Sequence, residues 1–170
     1  MKTGIAKRII GALDRVLHFE VVHAHCDIPC GIYDPHQAQV AAHTVLRMDM
    51  LIADLMKGVS PAADSNSRNK LVRYVAVKEQ HAELVKHEVR VIWGDYAKPE
   101  TADAKTHELV WSIMKAASKA KQDTDVESAM DLLAKVEQFA EWFWKTKNVQ
   151  VVRAKAPGFP TEAEMVFPKV

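Results

Sequence analysis

At 170 residues the chain is long enough for one domain with a sizeable core and short for a second. Its 23 Lys+Arg against 22 Asp+Glu leave a formal net charge of +1, so no overall field favours nucleic acid or an anionic membrane. No stretch approaches the roughly 18 apolar residues of a spanning helix, so a soluble protein is expected, with neither nucleic acid nor membrane as partner.

Residues 1–24 have their own character, with Lys2, Lys7, Arg8 and Arg15 spread among Ile5, Ile9, Ile10, Leu13, Val16 and Leu17. Asp14 and Arg15 interrupt the apolar centre that a secretory signal needs. Ala24, however, puts a small residue directly before His25, as a peptidase site would. Two readings stay open: a leader that is removed, and a first helix that stays attached.

The next run, His25-Cys26-Asp27-Ile28-Pro29-Cys30-Gly31-Ile32-Tyr33-Asp34-Pro35, holds both cysteines of the chain. Two cysteines make no disulfide scaffold, and a C-x-x-x-C spacing differs from the redox C-x-x-C. A tetrahedral zinc site would want a fourth ligand. If the chain is cut before His25, that residue presents a free α-amino group and an imidazole beside the Cys26 amide and thiolate. The amine, the amide nitrogen and the Cys26 and Cys30 sulfurs then make a planar four-donor set, which suits Ni(II) or Cu(II) rather than zinc.

From Pro35 the pattern is helical. A first segment runs from about Pro35 to Lys57, with Val40, Leu51, Ile52, Leu55 and Met56 on one side, and stops near Gly58 and Pro61. A second carries Leu71, Val75, Ala82, Val85, Val89, Ile92 and Trp93 at spacings of three and four. The third, roughly Ala102 to Lys121, sets His107, Val110, Met114 and Ala117 on one face. Thr124-Asp125-Val126-Glu127 reads as a capping box for a fourth, with Val126, Met130, Leu133, Val136, Phe139, Ala140, Phe143 and Trp144 facing inward. The expected fold is all-α: an antiparallel, up-and-down four-helix bundle over 36–147, preceded by a metal hook at 25–35. No alternating strand pattern of comparable length is present. Residues 148–170, with Pro157, Gly158, Pro160 and Pro168, form either a loose terminus or a strap; Phe159, Met165, Val166 and Phe167 favour the strap.

The string HCDIPCGIYDP resembles the amino-terminal nickel hook of the nickel-containing superoxide dismutases, whose pattern is H-C-x-x-P-C-G-x-Y. The likeness continues as VKEQHAELVKHEVRVIWGDYAKPE over residues 77–100 and as FWKTK over residues 143–147. The resemblance implies a precursor trimmed by a maturation peptidase to expose His25, a homohexamer, one nickel ion per subunit, and conversion of superoxide to dioxygen and hydrogen peroxide by Ni(III)/Ni(II) cycling. It makes His25 the amine and axial imidazole ligand, Cys26 the amide and thiolate ligand, and Cys30 the second thiolate. Pro29 would set the tight curl, Gly31 would let the backbone turn away, and Asp27 would position the hook.

Tyr33 and Tyr96 resemble the family's two tyrosines at the open face of the metal, where phenols order water, deliver protons and exclude larger anions. Lys98 is a candidate for local positive potential toward the incoming anion. His87 and His107 are read as solvated or hydrogen-bonded histidines. Two positions depart from the family's pattern: Ala41 and His81 stand where a glutamate and an arginine orient the axial imidazole. Such an imidazole needs a partner on its other ring nitrogen, and His81 and His43 are the candidates for a rebuilt network.

Two other classes stand beside the enzyme. One is a non-catalytic metal-binding or structural helical oligomer of the same family, and the other is a thiol peroxidase, although no helix terminus obviously lowers a thiol pKa. Thiolates that must stay reduced until metal arrives point to the cytoplasm.

Overall fold

Four aspartates start the four α-helices of the described residues. The structure, a computed structural model, describes residues 31–58 and 64–169. Asp34 accepts from the His36 backbone N–H at 2.7 Å, with Pro35 between them at a position that needs no amide proton, and α1 follows over His36–Gly58. Asp64 accepts from the Asn66 and Ser67 N–H groups and opens α2, Ser65–Val91. Asp103 does the same for Thr106 at α3, Ala104–Gln122, and Asp125 for Glu127 at α4, Val126–Thr146. The expected Thr124 cap is thereby corrected: α4 begins one residue later. A carboxylate is the stronger acceptor at the positive end of a helix dipole.

Each helix packs on its neighbours in sequence and α1 also packs on α4, which closes the bundle. The core is rich in alanine: Ala38, Ala41, Ala42, Ala82, Ala116, Ala117, Ala120 and Ala129 pack with Val45, Val85, Val89, Ile113, Leu132, Val136, Phe139 and Phe143. Small residues let helix axes approach closely. This choice turns α1 and α4 so that Met56 and Met130, both expected inward, are each 56% exposed. Trp93, expected on the apolar stripe of the second segment, is likewise exposed at the helix edge. Among the described residues, no helix is long and apolar enough to cross a membrane.

Among the described residues, one ion pair has both side chains fully buried. Lys78 Nζ on α2 sits 3.0 Å from Asp49 Oδ1 on α1, with the two side chains 1% and 0% exposed, and it also donates to the Asp123 carbonyl after α3. Burial pushes the Asp49 carboxyl above the ordinary range, while Lys78 pulls it back. This triad ties α1, α2 and the α3–α4 link together.

The tail is a strap, and it is built from strands that the sequence pattern did not show. Strands β1, Val151–Lys155, and β2, Glu164–Pro168, pair antiparallel with Arg153 opposite Val166. Each is five residues long and only β2 turns residues fully inward, namely Met165 and Val166. The hairpin is held by α1 and α4. Gln39 donates through Nε2 to the Val166 carbonyl and accepts the Val166 N–H at Oε1, at 3.1 and 2.8 Å. Arg153 reaches Glu137 at 2.6 Å and Glu141 at 2.7 Å on α4.

His43, one turn beyond Gln39, completes the attachment. Its Nε2 lies 3.1 Å from the Glu164 carbonyl, which only accepts, so Nε2 carries the proton and Nδ1 accepts from the Thr161 hydroxyl at 2.8 Å. Burial lowers the His43 pKa from 6.5. The unfolded chain therefore takes up a proton that the folded chain refuses, and the stabilisation present above the ordinary histidine value is lost as pH falls through the lowered one. Acidifying from about pH 7 to about pH 5 is expected to speed proteolytic nicking between the two strands, and His43→Gln to flatten that pH dependence. Limited proteolysis followed by mass spectrometry reads both.

Candidate metal centre

The three expected ligands, His25, Cys26 and Cys30, and the hook-shaping Asp27 and Pro29 lie outside the described residues, as does the leader. Among the described residues no three His, Cys, Asp or Glu side chains converge as a metal site. The donor set itself fits nickel: two soft anionic sulfurs with an amine and an amide nitrogen suit a tetragonal divalent ion. The imidazole of the residue that carries the amine would offer a further nitrogen donor.

The described residues begin inside the expected hook, at Gly31. Gly31 has φ of +74°, in the left-handed region, and a Cβ there would meet nothing within 4 Å. The need for glycine is thus conformational rather than steric. Two residues on, the Tyr33 ring lies 5.5 Å from the ring of Tyr96, tilted by 46°. The chain brings together two tyrosines 63 positions apart in sequence, which the hook resemblance had paired.

Tyr96 owes its position to a break in helical geometry. After α2 the chain widens into a single π turn, Ile92–Tyr96, in which the Ala97 N–H reaches back five residues to the Ile92 carbonyl at 3.1 Å. The turn delivers Tyr96 onto the end of α4. There its ring meets Phe143 at 4.9 Å and its hydroxyl meets Thr146 Oγ1 at 2.6 Å. Thr146 Oγ1 in turn donates to the Phe143 carbonyl at 2.6 Å.

Lys147 places its ammonium 4.5 Å from the centre of the Tyr96 ring and 5.8 Å from that of Phe143. Among the described residues it makes no ion pair. Thr146 and Lys147 lie inside the FWKTK string, yet sequence reasoning gave them no role. The signal available was their spacing, three and four residues beyond the core residue Phe143. Lys98, the expected cation, is exposed and lines a surface recess with Trp93, Pro99 and His107. Trp93 Nε1 donates to His107 Nδ1 at 3.0 Å, so His107 is hydrogen-bonded as expected.

Ala41 and His81, the two positions expected to depart from the family's pattern, both lie among the described residues. Ala41 is fully buried in the helical core. His43 is two residues on, about 200° around the helix, and both its ring nitrogens are engaged by the hairpin. His81 differs: its Nδ1 lies 2.8 Å from the Val77 carbonyl, so Nδ1 carries the proton. In neutral His81, Nε2 is then an acceptor, the hydrogen-bonding character that a carboxylate would offer.

A family model described as nickel-containing superoxide dismutase matches residues 20–147 and stops before the hairpin. Superoxide dismutase [Ni] of Streptomyces seoulensis is 37% identical over 129 residues, 75% of this chain and 91% of that protein. Superoxide dismutase [Ni] of Streptomyces coelicolor is 38% identical over the same length. A native nickel superoxide dismutase structure is 36% identical with a TM-score of 0.64, covering 73% of this chain and 99% of that one. The chain belongs to the nickel-containing superoxide dismutase family.

Proposed function

We propose that the chain is trimmed by a peptidase to begin at His25, holds one nickel ion per subunit through His25, Cys26 and Cys30, and disproportionates superoxide to dioxygen and hydrogen peroxide. The observation that carries this reading is the contact of Tyr33, a residue of the hook, with Tyr96, both within the span that matches the family. When bound, nickel supplies the one-electron couple that the side chains lack. Asp27, Pro29 and Gly31 shape the hook. Tyr33 and Tyr96 order water and narrow the approach to small anions. Lys147 adds positive charge beside the tyrosine pair, with Lys98 farther along the surface, and this local field favours superoxide despite a net charge of only +1.

His81 is the proposed partner of the His25 imidazole, accepting its ring N–H at Nε2 in place of the family's glutamate. His81→Ala is expected to weaken the oxidised-state nickel signal and to lower turnover by about 10–100-fold, the usual consequence of removing an outer partner of a metal-bound histidine. Electron paramagnetic resonance and a superoxide-consumption assay measure the two, and unchanged values in both remove His81 from the site.

The assembly proposed is a homohexamer in the cytoplasm, where thiols stay reduced until metal arrives. Val72, Trp111 and Met130 are 67%, 63% and 56% exposed on the single subunit and are natural contacts for it. A second reading, a non-catalytic relative, draws on one observation: the buried Ala41 provides no acid beside the expected imidazole. Intact mass, nickel content and superoxide-dependent turnover of the native protein separate the two. A chain beginning at His25 with nickel and turnover supports the enzyme. An intact Met1 without nickel sinks it, because the planar donor set needs a free amine. Bound nickel without turnover favours the relative.

A further inference from the structure

The hydrogen bonds at the end of α4 have a direction, and the direction assigns a duty. Thr146 Oγ1 is 2.6 Å from the Phe143 carbonyl and 2.6 Å from the Tyr96 hydroxyl oxygen. A carbonyl only accepts, and a threonine hydroxyl has one proton. That proton belongs to the Phe143 carbonyl, because two oxygens at this distance without a proton between them repel. Thr146 therefore accepts from Tyr96. The Tyr96 phenol proton points into the protein, and what the phenol offers on its remaining side is an oxygen lone pair.

We infer that Thr146 is a positioning residue for the reaction, holding Tyr96 as a hydrogen-bond acceptor that orients a water or the protonated peroxide product rather than as a proton donor. This rests on the superoxide dismutase reading above. It separates the two tyrosines, which otherwise look equivalent: Tyr96 orders a donor, and its own proton does not enter the reaction while Thr146 holds it. The ring is fixed from three sides, by Tyr33, by Phe143 and by the Lys147 ammonium, so the hydroxyl has little freedom to find another partner. Donor and acceptor roles are set by the α4 backbone itself, through the Phe143 carbonyl, and no titration of either tyrosine is needed.

The test compares Thr146→Val, which keeps the shape and loses the hydroxyl, with Thr146→Ser, which keeps the hydroxyl. In the full-length chain without metal, the hydroxyl-bearing ring carbon of Tyr96, labelled with carbon-13 and assigned through Tyr96→Phe, is expected to shift in Thr146→Val and to stay in place in Thr146→Ser. In the nickel-loaded protein, Thr146→Val is expected to lower superoxide turnover by about tenfold, the rate equivalent of one hydrogen bond of ordinary net strength, and Thr146→Ser to retain it. The same Val substitution in a Tyr96→Phe background is expected to cost nothing further, since no hydroxyl is left to orient. A merely structural role at the helix end would lower turnover equally in both backgrounds and overturns the inference. An unmoved Tyr96 carbon in Thr146→Val does so as well. Wild-type protein that loads nickel and consumes no superoxide overturns the parent reading and this one with it; active wild type with an equally active Thr146→Val overturns this one alone.

Discussion

Cys30→Ser is expected to abolish nickel retention and superoxide turnover while leaving the bundle folded. Serine keeps the shape of the side chain but carries a hydroxyl that stays protonated at neutral pH, so the donor set loses an anionic sulfur and with it the softness that selects nickel. The loss is expected to exceed the roughly 10–100-fold in metal affinity that follows removal of an outer partner. The helices should not notice, because the buried cluster that holds them runs from Ala38 on α1 to Phe143 on α4. Metal analysis after dialysis reads the first effect and circular dichroism the second. Nickel held as tightly by Cys30→Ser as by wild type would remove the hook from the mechanism.

Lys78→Met is expected to be the most destabilising change in the bundle, at about 3–5 kcal/mol, because it leaves the Asp49 carboxylate buried and unpaired. Asp49 Oδ2 already has no hydrogen-bond partner among the described residues, so the lysine is the main compensation for that charge. The double variant Asp49→Leu/Lys78→Met should recover most of the loss, since a well-packed apolar pair of similar volume is often no worse than a buried ion pair. The pH dependence has a definite sign. The Asp49 carboxyl lies above its unfolded value through burial, and loss of Lys78 raises it further. Its neutral form is stable in the fold below the ordinary carboxylate range, and stability is lost as pH rises through the raised value. The deficit of Lys78→Met is therefore largest near neutrality and shrinks in acid. Urea midpoints at two pH values measure it, and equal midpoints for single and double variants would refute the account.

Much of the architecture was legible because it depends on local repetition. Apolar spacings of three and four located all four helices to within a few residues at most of their ends, apart from the start of α2, where Ser65 to Lys70 carry no apolar residue. The apolar faces were read less well. Large residues were taken as inward, but alanines at Ala38, Ala41, Ala42 and Ala116 form the seams, and Met56 and Met130 turn outward. Alanine is a good helix former on any face, so a single sequence cannot distinguish a seam from a surface.

The hairpin was out of reach for a different reason. Its strands have five residues each, and β2 is held by contacts with Gln39 and His43, more than a hundred positions away. At the site, the residue pattern named Tyr33 and Tyr96, which meet across 63 positions. It did not name Thr146 or Lys147, because a hydroxyl and an ammonium at a helix end look like any solvated pair until the π turn sets Tyr96 against them.

Gln39 has one more consequence. A two-stranded ribbon has two open margins, and each exposes amide and carbonyl groups that a strand from another molecule can adopt. In this chain the outer margin of β2 is closed at its midpoint, where the Gln39 side-chain amide answers both the N–H and the C=O of Val166 as a neighbouring strand would. A single carboxamide on a helix thus acts as a one-residue selvedge, leaving the Val166 N–H and C=O already answered at the middle of that margin.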